Sequence, residues 1–205
     1  MSKSWRFGGV SISLENTKLK ETPSVNLTPV ESCVPGVPCA KDCYAARTCS
    51  RWEQPRRAWA NNLTIARAAP NHYFAVVEAF FERKTRRPIK FFRWHSAGDI
   101  LGASYLAGIC RTAYAHPDTK FLAFTKRYGL RYDTIPANLS IVLSAWPGYE
   151  LYNPTGLPVA WLDDPEQPDE RIPRGSALEC VGTCDTCGLC WQLARLGLDV
   201  VLPKH

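Results

Sequence analysis

Eight of the nine cysteines fall in two compact groups near opposite ends of the chain. Cys33, Cys39, Cys43 and Cys49 are spaced C-x5-C-x3-C-x5-C, and Cys180, Cys184, Cys187 and Cys190 are spaced C-x3-C-x2-C-x2-C. Soft thiolates select zinc, copper(I) and iron–sulfur clusters, and four thiols per group suit either a tetrahedral metal or a four-iron, four-sulfur (4Fe-4S) core. The two-by-two spacing usual for structural zinc is missing from both groups, so the expectation is two 4Fe-4S clusters, with zinc as the alternative. Spacing leaves open whether each group closes its own site or thiols from both converge on one metal. Cys110 is left over. It lies on the apolar face of a predicted helix and reads as a small buried hydrophobe.

A second set of chemically capable residues surrounds Phe91-Phe92-Arg93-Trp94-His95-Ser96-Ala97-Gly98-Asp99. Strand alternation places Phe91, Arg93 and His95 on one face and Phe92 and Trp94 on the other, with Ser96, Gly98 and Asp99 at the carboxyl end. Arg93 and His95 would bind an anion or stabilise developing charge. Lys126 and Asp163 end later strands and would add a cation and a carboxylate, with Trp146 or Trp161 as an apolar wall or as plain core. Glu15 and Asn16, beyond the first strand, are further candidates.

These residues need a scaffold of alternating elements. Strands are expected at Val10–Leu14, Lys90–His95, Lys120–Thr125, Leu139–Ala145 and Leu157–Leu162, and helices from Pro55, over Asn71–Lys84 and over Gly102–Ala115. The first cysteine group reads as a loop followed by a helical turn around Ala40–Ala46, because Pro35, Gly36 and Pro38 oppose regular structure. The series implies an α/β fold with mostly parallel strands. A complete eight-stranded barrel is too large for 205 residues, so a partial or trimmed TIM-like barrel with metal-binding loops near both ends is expected. The connection between the second and third of its central strands has room only for a short helix. The acidic, proline-rich run Trp161–Pro173 reads as an exposed linker to a C-terminal extension over 174–205.

Composition fits one globular domain. The formal charge is +6. Two 4Fe-4S clusters with their thiolates, at about −2 each, would bring it to about +2. Arg47, Arg51, Arg56, Arg57 and Arg67, and the denser run Arg83, Lys84, Arg86, Arg87 and Lys90, would meet phosphates of a nucleic acid or lie solvated at helix ends. With no apolar run near the roughly 20 residues of a membrane span and no secretory leader, a reducing cytoplasm is expected, where clustered thiols bind metal more often than they pair as disulfides. No phosphate loop, dinucleotide fingerprint, zinc-protease motif or serine elbow is present.

Three resemblances follow from these motifs. Cys39-Ala40-Lys41-Asp42-Cys43-Tyr44-Ala45-Ala46 resembles part of the radical S-adenosylmethionine signature, with Ala46 where its third cysteine stands, so Cys33 or Cys49 would complete the set. Ser96-Ala97-Gly98-Asp99 is similar to that family's glycine-rich strand end, which implies that Asp99 contacts the amine of S-adenosylmethionine. Three ligating cysteines would leave an iron open to it, and four would not. The final C-x2-C-x2-C run resembles part of a ferredoxin ligand run. The whole arrangement, over about residues 30 to 191, resembles phage proteins of the gene-product-88-like class: Cys39, Cys43, Tyr44, Ala45, Arg93, His95, Gly98 and Asp99, then Thr125-Lys126 and the terminal cysteines. It implies an iron–sulfur protein related to the radical S-adenosylmethionine barrels. The favoured expectation is a redox protein or radical S-adenosylmethionine-like enzyme whose N-terminal cluster takes one electron from a donor and passes it to a cofactor or to a small-molecule or macromolecular substrate. The other expectation is a noncatalytic, metal-stabilised protein that binds nucleic acid or protein.

Overall fold

A computed structural model describes residues 3–16, 19–83 and 88–204. Strands β1 (Ser4–Phe7), β2 (Val10–Ser13) and β3 (Ser24–Val25) precede helices α1 (Tyr44–Arg51), α2 (Glu53–Ala68) and α3 (Pro70–Glu82). Next come β4 (Phe91–Trp94), α4 (Ala103–Ala115), β5 (Lys120–Thr125), β6 (Leu139–Ser144) and β7 (Val159–Asp163). The last elements are β8 (Leu178–Glu179), the one-turn helices α5 (Cys184–Cys187) and α6 (Leu193–Leu196), and β9 (Val200–Pro203).

The strands form one sheet in the order β1-β2-β3-β4-β5-β6-β7-β9-β8. β2 runs antiparallel to β1 and β3, while every pairing from β3 to β8 is parallel. The result is a mixed, mostly parallel sheet consistent with a partial α/β barrel: strand order follows chain order as far as β7, and β1 and β8 are open edges.

Strands buried on both faces read as continuous apolar runs, and β5 (KFLAFT) and β6 (LSIVLS) do. One face, with Phe92, Trp94, Phe121, Ala123, Ile141 and Leu143, packs on α2, α3 and α4 through Leu63, Phe74, Val77, Phe80, Leu106 and Ile109. The opposite face carries Leu122, Val142, Ala160 and Val200. It is covered by Trp191 and Leu193, with Cys180, Cys184 and Cys190 partly buried against the same layer. One sheet face therefore has a helical roof, and the other is floored by the second cysteine group.

Two contacts fix the helical layer. Gly108 lets α4 approach α3 so closely that a Cβ there would lie 2.2 Å from the Phe74 ring. Asn62, fully buried in α2, accepts from the Ser11 amide at 2.8 Å and donates to the carbonyls of Ser11 at 2.8 Å and Asn26 at 2.9 Å. A buried amide with its hydrogen bonds met ties α2 to the start of the sheet without a desolvation penalty.

Several expectations are corrected. The run Trp161–Pro173 is exposed over 165–168 but is not a free linker: its first three residues finish β7, Asp164 and Ile172 are buried, and Arg171 donates to the carbonyls of Trp146 and Tyr149. The β5–β6 connection is made of turns, with no helix between Thr125 and Leu139. The segment from 174 joins the sheet itself, because β9 inserts between β7 and β8. The Lys84, Arg86 and Arg87 part of the basic run lies outside the described residues, and Arg83 stacks 3.4 Å over the Phe80 ring. No helix among the described residues is long and apolar enough to cross a membrane.

Candidate functional site

The first cysteine group meets the sheet past the carboxyl end of β4, and the second lies against the start of that strand, at Phe91 and Phe92. Asn26, just past β3, organises the carboxyl end: its buried Oδ1 accepts from the Ser96 amide at 2.8 Å, the Ser96 hydroxyl at 2.7 Å and the Ala97 amide at 3.1 Å. The turn over 96–99 then reverses at Gly98 (φ +88), where a Cβ would lie 2.6 Å from Ser32 Oγ and 2.9 Å from Leu27 Cβ. Only glycine allows this approach, and it presses the strand end onto the loop carrying Cys33.

That loop is held by Ser32 Oγ donating to the Thr28 carbonyl at 2.6 Å and by the Cys33 amide donating to Val30 at 3.1 Å. Val30 adopts φ +66, a left-handed conformation unfavourable to a β-branched residue. Cys39 lies in the short 3-10 turn Pro38–Ala40, Cys43 is the residue before α1, and Cys49 lies within α1. Burial, then Asp99, pushes the Cys33 thiol up to about 11, with Cys39 and Cys43 adding in the same direction. Burial and Cys43 likewise raise Cys49. The four thiols are thus electrostatic neighbours. Tyr44 is 59% exposed, yet its hydroxyl turns inward to donate to the Ser96 carbonyl, where burial raises its pKa.

The second group is docked by its neighbours. The Cys180 amide donates to Val201 at 2.9 Å. Cys184 and Cys187 bound α5, which Gly188 terminates in the left-handed region (φ +61) against the Phe91 ring. The buried Trp191 packs 5.2 Å from Phe91 and donates its indole N–H to the Phe92 carbonyl at 2.9 Å. Burial pushes the Cys190 thiol up to about 11; Arg93 opposes the shift, while Cys184, Cys180 and Cys187 add to it.

Between these groups stands Arg93. Its guanidinium lies 4.0 Å over the Phe124 ring and its Nε has no hydrogen-bond partner. Burial depresses its pKa to about 10, which leaves it charged at neutral pH. The groups opposing that depression are Tyr44, Cys190 and Cys184, none of them a carboxylate. His95 does not share the face of Arg93, as alternation predicts. The strand ends at Trp94, His95 takes φ +55, and its ring lies 5.5 Å from Tyr105 and 6.0 Å from Trp94, among helix-facing residues. His95 is 3% exposed, neither ring nitrogen has a partner, and burial followed by the Arg93 charge lowers its pKa to about 3. It is a neutral imidazole.

Asp99 is buried. Its Oδ1 accepts from the Ile100 amide at 2.7 Å and the Thr125 hydroxyl at 2.6 Å, and its Oδ2 accepts from the Lys126 amide at 3.0 Å. Burial raises its pKa and these bonds oppose the rise. Asp99 therefore latches the end of β4 to that of β5. Lys126 then reaches over Trp146, with Nζ 5.3 Å from the ring.

The structure thus gathers Cys33, Cys39, Cys43, Tyr44, Arg93, His95, Ser96, Gly98, Asp99 and Lys126 around one end of β4, with the second cysteine group beneath. Asp163 is paired instead with Arg174 at 2.7 Å, and Trp161 is core, bonded to Asp199 at 2.8 Å. Glu15 and Asn16 are on the wrong side: β2 runs antiparallel to β3, so its end lies away from the carboxyl end of β4, and they bond to Lys3 and Leu19. Asn26, Asn62 and Trp191 have no sequence signal beyond being polar or aromatic residues in apolar surroundings.

No cysteine forms a disulfide. Among the described residues, no three His, Cys, Asp or Glu side chains are drawn together as a group able to hold a single metal ion. Comparison with curated proteins and with solved structures gives no match. The Gene product 88 family matches residues 10–193, which include the sheet from β2 to β8, both cysteine groups and the whole β4 strand end. The chain belongs to the Gene product 88 family.

Proposed function

We propose that each cysteine group holds a 4Fe-4S cluster and that the chain is a one-electron redox protein, related in its partial TIM-like barrel to radical S-adenosylmethionine enzymes. The observation that carries this reading is Arg93: a desolvated cation whose charge-bearing neighbours are a tyrosine and the thiols of Cys190 and Cys184. A buried charge is costly unless compensated, and a thiolate-held cluster of net negative charge would compensate it.

The two-by-two thiol spacing usual for structural zinc is absent from both groups, which favours iron–sulfur cores over zinc.

When bound, such clusters would supply single electrons. The residues around them divide the remaining work. Cys33, Cys39, Cys43 and Cys49 would hold the first cluster and Cys180, Cys184, Cys187 and Cys190 the second. Asp99 keeps about one of roughly four lone-pair sites unused, enough to accept from the amine of S-adenosylmethionine, with Ser96 and Gly98 shaping the turn beside it. Lys126 and Arg93 would orient an anionic group, and neutral His95 would exchange a hydrogen bond with the ligand. Paramagnetic resonance of reduced, anaerobically isolated protein tests this: a cluster signal that shifts on adding S-adenosylmethionine is expected. A reduced protein without such a signal would sink the reading.

One surface favours a second reading, a metal-stabilised nucleic-acid binder. Trp52 is 58% exposed at the α1–α2 junction with the Arg51 guanidinium 5.5 Å from its ring, and Arg47 and Arg56 are exposed nearby. Exposed aromatics among arginines stack bases and contact phosphates. Binding of a labelled single-stranded oligonucleotide that weakens steeply with salt and is lost in Trp52→Ala would favour it.

A further inference from the structure

We propose that Arg93 makes the two cysteine groups electrostatically unequal, so that the cluster held by Cys180, Cys184, Cys187 and Cys190 has the higher reduction potential and is reduced first. The proposal rests on the iron–sulfur reading above and goes beyond it by assigning an order to the two sites.

The geometry begins with two crosslinks to one strand end. Trp191, next to Cys190, donates to the Phe92 carbonyl at 2.9 Å, and Tyr44, next to Cys43, donates to the Ser96 carbonyl. The two carbonyls are four residues apart, one within β4 and the other past the left-handed turn at His95. Arg93 is the residue after the first of them, and its guanidinium lies 4.0 Å from Phe124. Phe124 packs in the same layer as Cys180, Cys184 and Cys190. The cation is therefore on the face that carries the second group. Toward the first group it meets the Tyr44 hydroxyl, and the ionisable group facing Cys33 is Asp99, an acid.

Charge then sets the order. A 4Fe-4S core with four thiolates carries about −2 when oxidised and about −3 after accepting one electron, here from a low-potential flavin or iron–sulfur donor. No bond is made or broken and no proton is needed. A fixed cation in a site shielded from water stabilises the more negative state, and an ionised carboxylate does the reverse. Arginine is suited to this because it stays charged at neutral pH and is only weakly hydrated.

The test is a potentiometric titration of the anaerobic full-length protein followed by paramagnetic resonance, with iron and sulfide measured on each sample. In the unsubstituted chain, the signal that appears at higher potential should be the one missing from Cys187→Ala. If it is instead the one missing from Cys43→Ala, the proposal is overturned. In Arg93→Met, with iron content unchanged, the reduced-to-oxidised ratio of that signal at a fixed potential should fall at least tenfold, about 59 mV for one electron. Arg93→Lys should recover most of the loss. An unmoved signal in Arg93→Met overturns the proposal while leaving the clusters in place. If Arg93→Met fails to fold, the order in the unsubstituted chain decides alone. Absence of iron in the unsubstituted chain overturns the iron–sulfur reading and the proposal with it, and metal analysis tells that result apart from the others.

Discussion

Trp191 donates its indole N–H to the backbone carbonyl of Phe92 at 2.9 Å, and so joins the C-terminal cysteine segment to the middle of the sheet across 99 residues of sequence. The bond is buried, and the ring also packs on Phe91. Trp191→Phe keeps most of the packing and removes one hydrogen bond, at a cost of about 0.5–1.5 kcal/mol. Trp191→Ala should cost about 3–5 kcal/mol. Chemical denaturation measures both, and on the iron–sulfur proposal the alanine variant should also lose iron from the second cysteine group while keeping it at the first.

Asn26 should be as sensitive. Its Oδ1 serves three donors at the Ser96–Ala97 turn. Asn26→Leu strands those donors and should cost about 3 kcal/mol. Asn26→Asp keeps an acceptor and should cost less. Thermal unfolding of the pair reads the difference, and equal losses would mean that the amide acts only by filling space.

Gly98 and Gly102 provide a paired test of crowding. A Cβ at Gly98 meets Ser32 Oγ at 2.6 Å in a left-handed backbone, whereas nothing lies within 4 Å of one at Gly102. Gly98→Ala should destabilise by about 2–4 kcal/mol through overpacking and an unfavourable φ. Gly102→Ala should change stability by less than about 0.5 kcal/mol. Melting temperatures of the two variants check this.

His95 gives the fold an acid-sensitive window. Burial holds its pKa at about 3 in the folded chain, below the ordinary value of 6.5. Between those values the unfolded state binds more protons, so stability rises with pH through this window, is complete above about 6.5, and is lost as pH falls toward 3. Denaturation midpoints from pH 7 down to pH 4 should show a decline that His95→Gln flattens. A parallel decline in the variant would assign the acid sensitivity to other groups.

The helices and central strands were legible in sequence because their apolar spacing is long and regular. The helix read over Asn71–Lys84 is Pro70–Glu82, and the strand read over Lys120–Thr125 has those bounds. β3 and β8, at two residues each, are too short to show alternation and exist through their neighbours. β9, VVLP, carries an apolar signal, but its place between β7 and β8 is a tertiary fact. Charge and proline marked Trp161–Pro173 as exposed, as 165–168 are, but did not show that Arg171 bonds back to Trp146 and Tyr149 or that Ile172 is buried. At the site, residue types single out the thiols, Arg93 and Asp99 as candidates. They did not foretell that Asp99 bonds to Thr125 and Lys126, or that a left-handed turn at His95 separates its ring from Arg93.

The central claim is that the eight grouped thiols bind inorganic iron–sulfur cores. Iron, acid-labile sulfide and zinc measured per chain after strictly anaerobic isolation test it most directly. Two 4Fe-4S clusters predict about eight irons and eight sulfides, with no zinc. One zinc per cysteine group and no labile sulfide would contradict it.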